Sequence, residues 1–195
     1  MHIQYRTNKY HENGRTDRIA FRIGAVKDAR MTSVHHIYSA MDTPDIRYMR
    51  MALRQATLAE EAGEVPVGAI IVQAGGAIIG QAHNSTELLK DPTAHAEILA
   101  ITQAASALGD WRLEKTTLYV TKEPCPMCAG AIVSARIPRV VWGMTDPQRG
   151  GAVSRFRILQ DEQLNHRAEC VPGILEEECR ELVQRFFKER RAKSP

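Results

Sequence analysis

Apolar positions first recur at helical spacing in the segment that opens with Asp42-Thr-Pro-Asp45. Met49, Leu53, Ala56 and Ala59 line one face, and Gly63 supplies the stop, so the pattern predicts a helix. The pattern then changes. Val65-Pro-Val-Gly-Ala-Ile-Ile-Val72 is a β-branched apolar run, Gly75-Gly76 is a turn, and Ala77 to Asn84 reads as the returning strand of a hairpin. Asp91-Pro-Thr93 opens a second helix over 94–108, with Ile98, Leu99, Ile101, Ala105 and Leu108 as its expected buried face and Gly109 as its end.

Thr116 to Thr121 is a third strand. Pro124 and Pro126 start a helix that runs to about Arg136, and Arg139 to Gly143 is a fourth strand. The glycine-rich stretch from Asp146 to Ser154 reads as a loop, and Ala168 to Val171 as a short fifth strand. Ile174 to Arg191 is a last helix striped by Leu175, Cys179, Leu182, Val183 and Phe186. Helices alternating with strands after an opening hairpin imply an α/β fold: a three-layer α/β/α domain on a five-stranded mixed sheet, over residues 41–193.

Residues 1–40 break this order. They show no sustained periodicity and carry seven Lys/Arg against three acids, so they read as a disordered basic extension. The whole chain has a formal charge of +3, so the rest is close to neutral. The His35-His36 pair lies in this extension, without the fixed surroundings that a specific metal site needs. Basic residues cluster again from Arg180 to Lys193, a pattern that fits either phosphate tracking or a solvated helix face.

At 195 residues, with 44% hydrophobic and 25% charged positions, the chain suits one globular domain. No apolar run approaches the roughly 18 residues that span a bilayer, so no membrane partner is expected. Met1 to Arg6 lacks the features of an export signal. Four cysteines in such a chain point to a reducing cytoplasm, where thiols serve metals or packing. Cys170 and Cys179 sit in apolar patterns and read as packing residues, His83 reads as structural, and Trp111 and Trp142 read as core or interface residues.

Two segments carry chemistry. Ala94-His-Ala-Glu-Ile98 offers His95 and Glu97, and Glu123-Pro-Cys-Pro-Met-Cys128 offers Cys125 and Cys128. One imidazole and two thiolates are three ligands for tetrahedral Zn²⁺, and an open fourth position is the mark of a catalytic site. Both segments fall at expected helix starts, where the backbone amides and the helix dipole favour thiolate. Glu97 is placed to move protons beside the open position while zinc-activated water attacks carbon, which is hydrolytic deamination. Either half alone is weak. The ordered set of His-x-Glu, 27 residues, then Cys-x-x-Cys is a known signature of zinc nucleobase deaminases.

These segments resemble those of the bacterial tRNA adenosine deaminases, in the cytidine-deaminase-like superfamily. The resemblance spans about residues 44–190. It rests on Glu64-Val-Pro-Val-Gly-Ala69, His83-Asn84, Asp91 to Ile98, Thr117 to Thr121, Glu123 to Ile132, Asn165-His-Arg167 and Gly173-Ile-Leu-Glu-Glu-Glu-Cys179. It implies a homodimer that converts the wobble adenosine in a tRNA anticodon loop, usually of an arginine tRNA, to inosine. It also implies one zinc per subunit on His95, Cys125 and Cys128, proton transfer by Glu97, and a base or ribose contact from Asn84. Asp146, Arg149, Ser154, Phe156, His166 and Arg167 are further candidates for contacts with flanking nucleotides. The sequence departs from the family at Lys122, where leucine is usual, at Gln148, where lysine is usual, and at Val153, where glycine is usual. Two other readings stay open: a free-base deaminase acting on guanine or cytosine, and a non-catalytic zinc module that binds RNA.

Overall fold

The computed structural model describes residues 43–193. The basic extension and its histidine pair lie outside the described residues. Helix α1 (Pro44–Glu61) begins where Thr43 accepts the Ile46 amide on its side-chain oxygen, with Pro44 in the first turn. Strands β1 (Gly68–Gln73) and β2 (Ile78–His83) follow, then a short helix α2 (Thr86–Leu89) and helix α3 (Ala96–Leu108). Strand β3 (Thr116–Lys122) leads into α4 (Pro126–Ser134) and β4 (Arg139–Met144). A 3₁₀ turn (Ile158–Gln160), β5 (Glu169–Val171) and α5 (Glu176–Lys193) complete the order.

The sheet runs β2-β1-β3-β4-β5. The hairpin β1–β2 and the pair β1–β3 are antiparallel, while β3–β4 and β4–β5 are parallel. The mixed five-stranded sheet expected from the sequence is present. The alternation of side chains along each strand feeds two separate cores. Ala69, Ile71, Leu118, Val120, Val140 and Trp142 pack on one face with α3 and α4. Ile70, Val72, Tyr119 and Val141 pack on the other with α1 and α5. This is the three-layer α/β/α order.

The structure corrects four details. The first strand starts at Gly68 rather than Val65, and α2 and the 3₁₀ turn were not expected. On α3 the buried apolar residues are Ala96, Ala100 and Ala104, not the larger Ile98, Leu99 and Ile101. The helix lies too close to the sheet for bulk: a Cβ at Gly80 would stand 2.4 Å from Ala100 O. Trp142 is core, as one of the two expected placements, and Trp111 is 53% exposed, with the Arg112 guanidinium 4.1 Å from its ring centre.

Candidate active site

The site forms outside the carboxyl end of β3, where the parallel strands of an α/β sheet commonly present a ligand crevice. His95 is the N-cap of α3, and Cys125 is the N-cap of α4. Neither side chain caps its own helix, so both project toward a common point. The Cys125 and Cys128 Sγ atoms are 3.6 Å apart, and they lie 3.7 Å and 3.5 Å from His95 Nδ1. With Zn–S near 2.3 Å and Zn–N near 2.0–2.1 Å, one face of a tetrahedron has edges of about 3.8 and 3.6 Å. The three atoms already stand at that spacing, and they form a possible metal-binding group. A nitrogen and two sulfurs suit zinc.

Charge is pooled among these groups. Cys125 is lowered to about 4 by the donor from Cys128, against the cost of burial, with His95 adding to the shift. His95 is raised by its hydrogen bond to Cys125, against burial. Burial pushes Glu97 well above the usual carboxylate range. Its Oε2 is the buried side-chain oxygen without a partner among the described residues.

His95, Glu97 and Cys125 line a cleft of about 510 Å³, within the usual size of small-ligand sites. Asn84 lies on one wall. Its Oδ1 accepts the Ala96 amide at 2.9 Å, which fixes the side chain and leaves its NH₂ as what it can offer a ligand. Asp146, Gln148 and Arg149 line the same cleft. Asp146 Oδ1 accepts the amides of Gln148 and Arg149, each at 3.0 Å, and its Oδ2 pairs with Lys122. Burial raises the Asp146 carboxyl, but the Lys122 hydrogen bond and these amides hold it below the usual range.

The other nucleotide-contact candidates stand apart from the cleft. Ser154 is committed to Glu123, to which both its amide and its hydroxyl donate. Phe156 is 54% exposed. His166 bonds Ile137 O at 2.8 Å through Nε2, and Arg167 faces Glu162 at 3.6 Å. Cys170 is half-buried and Cys179 buried, in keeping with packing roles.

The sequence reading missed two buried carboxylates that hold the cleft walls. Glu123 accepts the amides of Asp146, Val153 and Ser154 and the Ser154 hydroxyl. Burial raises its pKa and these four donors lower it further. Glu64 accepts the Leu88 amide at 2.8 Å and the Thr86 hydroxyl at 3.0 Å, which fixes α2 and so the wall at Thr86. A lone acid before an apolar run was the only local signal for Glu64. Phe187 also lines the cleft, although it lies off the apolar stripe of α5. Val153 fits where the family usually has glycine, because its backbone is not in the left-handed region.

A family model described as MafB19-like deaminase matches residues 43–191. A tRNA-specific adenosine deaminase of Bacillus subtilis is 52% identical over 151 residues, covering 77% of this chain and 93% of that protein. One from Aquifex aeolicus is 52% identical over 144 residues, covering 74% and 94%. Among solved structures, one from a study of A-to-I editing by tRNA:A34 deaminases is 43% identical, covers 70% of this chain and 98% of that one, and superposes with a TM-score of 0.67. A guanine deaminase from Nitrosomonas europaea covers 86% and 96% with a TM-score of 0.60, but at 19% identity it is alike in fold alone. The chain therefore belongs to the MafB19-like deaminase family and, within it, to the tRNA-specific adenosine deaminases, which are hydrolases.

Proposed function

We propose that this protein converts the wobble adenosine of a tRNA anticodon loop to inosine, through one zinc ion held by His95, Cys125 and Cys128. The observation that carries the proposal is the buried, unpartnered Glu97 Oε2 beside a nitrogen and two sulfurs already at tetrahedral spacing. The relatives named above supply the substrate class. When bound, zinc would lower the pKa of a water toward neutrality and supply a nucleophile.

The chain's own residues do the rest. Glu97 takes a proton from the attacking water and delivers it to N1 of the purine. It then carries the second proton of that water, from the oxygen added at C6, to the C6 amine, which leaves as ammonia as the C6 carbonyl forms. Its burial excludes competing solvent and keeps the proton within the site. Asn84 donates from its fixed amide to the flipped nucleoside. The Asp146–Arg149 wall meets the flanking nucleotides, which a single-stranded loop can splay outward.

Residues 41–193 constitute the catalytic domain in this reading. The exposed Leu88 and Leu89 beside the Thr86 wall offer apolar surface to a second copy in a homodimer. Among the described residues no helix is long and apolar enough to cross a membrane. A tRNA substrate and four free cysteines support a cytoplasmic location.

The test is to incubate zinc-loaded protein with an arginine tRNA transcript carrying wobble adenosine, then sequence it after reverse transcription. An A-to-G readout at that position, absent with Glu97→Ala, is the expected result. Turnover of free guanine or cytosine with no change in the tRNA would overturn the proposal.

A further inference from the structure

Three carboxylates line the cleft: Glu97, Glu123 and Asp146. An RNA strand entering it brings phosphodiester charge of the same sign as the ionised Glu123 and Asp146. The cations on the same lining are Lys122 and Arg149, besides the imidazole of His95. Arg149 is solvent-exposed on the loop after β4. Lys122 is different. It is the last residue of β3, its side chain is only 25% exposed, and it is ion-paired with an Asp146 side chain that is 13% exposed. A half-buried pair of this kind is screened less by salt than a surface pair.

Asp146 is also the residue that folds its loop, because its other oxygen holds the amides of Gln148 and Arg149. Lys122 therefore acts on the wall twice. It anchors the Asp146 turn to the carboxyl end of the central strand β3, and it cancels the charge that this turn would otherwise direct at an incoming phosphate. A neutral free base gains nothing from the second effect, whereas a polyanion does.

We infer that Lys122 is a specificity-determining residue that tunes this cleft for a phosphodiester-bearing substrate, by neutralising and positioning Asp146. The inference rests on the RNA-deaminase reading above.

The experiment compares wild type, Lys122→Met and Lys122→Arg, each zinc-loaded and checked for metal content and thermal unfolding. Affinity for an anticodon stem-loop RNA is read by fluorescence anisotropy across a salt series, and inosine formation is followed on the same RNA. Lys122→Met should weaken binding by about tenfold, as for the loss of one charged contact. The slope of log affinity against log salt should become shallower by about 0.7–1. The KM for the RNA should rise in step, and Lys122→Arg should restore affinity and slope. A packing role would leave the salt slope unchanged.

Wild-type affinity and slope in Lys122→Met would overturn the inference. So would weaker binding with an unchanged slope and no rescue by arginine. If wild type converts the RNA while either result holds, the deaminase reading stands and the role of Lys122 falls. If wild type neither binds nor converts the RNA, both fall.

Discussion

The Gly151 amide donates to Pro124 O at 2.7 Å, and a Cβ on Gly151 would stand 2.5 Å from Pro126 N and 2.6 Å from Cys125 C. The glycine-rich loop is thus pressed against the backbone that carries Cys125, the first candidate thiol ligand. Any side chain at 151 must push that backbone aside. Gly151→Ala should lower both zinc content and turnover, and Gly151→Val more so. Metal analysis of the purified variants checks this, and full zinc occupancy with wild-type turnover in Gly151→Val would contradict it.

Cys125→Ser should lose zinc and activity together, because a serine hydroxyl replaces a thiolate ligand. Glu97→Gln keeps the shape of the side chain but not its proton chemistry. It should retain zinc and RNA affinity while turnover falls by on the order of 10²-fold or more. Single-turnover inosine formation beside zinc analysis separates the two variants. Undiminished turnover in Glu97→Gln would assign the proton carrier elsewhere.

Glu64 and the Thr86–Leu88 turn make a second prediction about the walls. Glu64→Ala leaves the Leu88 amide and the Thr86 hydroxyl without their acceptor, at a cost of about 1–3 kcal/mol. Denaturant unfolding should show that loss. Hydrogen exchange should rise at Leu88 before the strands, and the KM for RNA should increase because Thr86 lines the cleft. Unchanged exchange at Leu88 would show that α2 does not depend on this clamp.

The far end of the sheet makes a prediction about pH. Arg139 grips Asp45 through two hydrogen bonds of 2.9 Å, and Tyr119 donates to the same carboxylate at 2.9 Å. The Arg139 hydrogen bond, more than the opposing burial, holds the Asp45 pKa below its ordinary value. A carboxylate lowered on folding binds fewer protons in the native state. Its stabilisation is therefore full above the unfolded value near 4 and is lost as pH falls through the lower native value. Urea midpoints of wild type and Asp45→Asn should differ at neutral pH and converge in acid. A difference that grew as pH fell would reverse the sign and contradict the assignment.

Within the described residues, the sequence determined the order of the five strands and four longer helices, the mixed sheet and the candidate metal group of His95, Cys125 and Cys128. Each of these is written locally. Periods of two and 3.6 mark the strands and helices. Pro126 and the residues before it mark the start of α4, and ligand pairs close in sequence mark the chemistry. His95 and Cys125 were legible as partners because both fall at helix starts and the set is rare. Only the tertiary structure decided what surrounds them. Glu64 meets Thr86 across 22 positions, Lys122 meets Asp146 across 24, and Glu123 meets Ser154 across 31. No periodicity encodes such pairings, because an acid that will be buried under four donors looks, in one dimension, like any surface acid. The same holds for the alanine face of α3. There the close approach of Gly80 in β2, rather than hydrophobicity, selects which residues are buried. Local chemistry names the ligands. The packing of distant segments sets the walls, and with them which substrates reach the site.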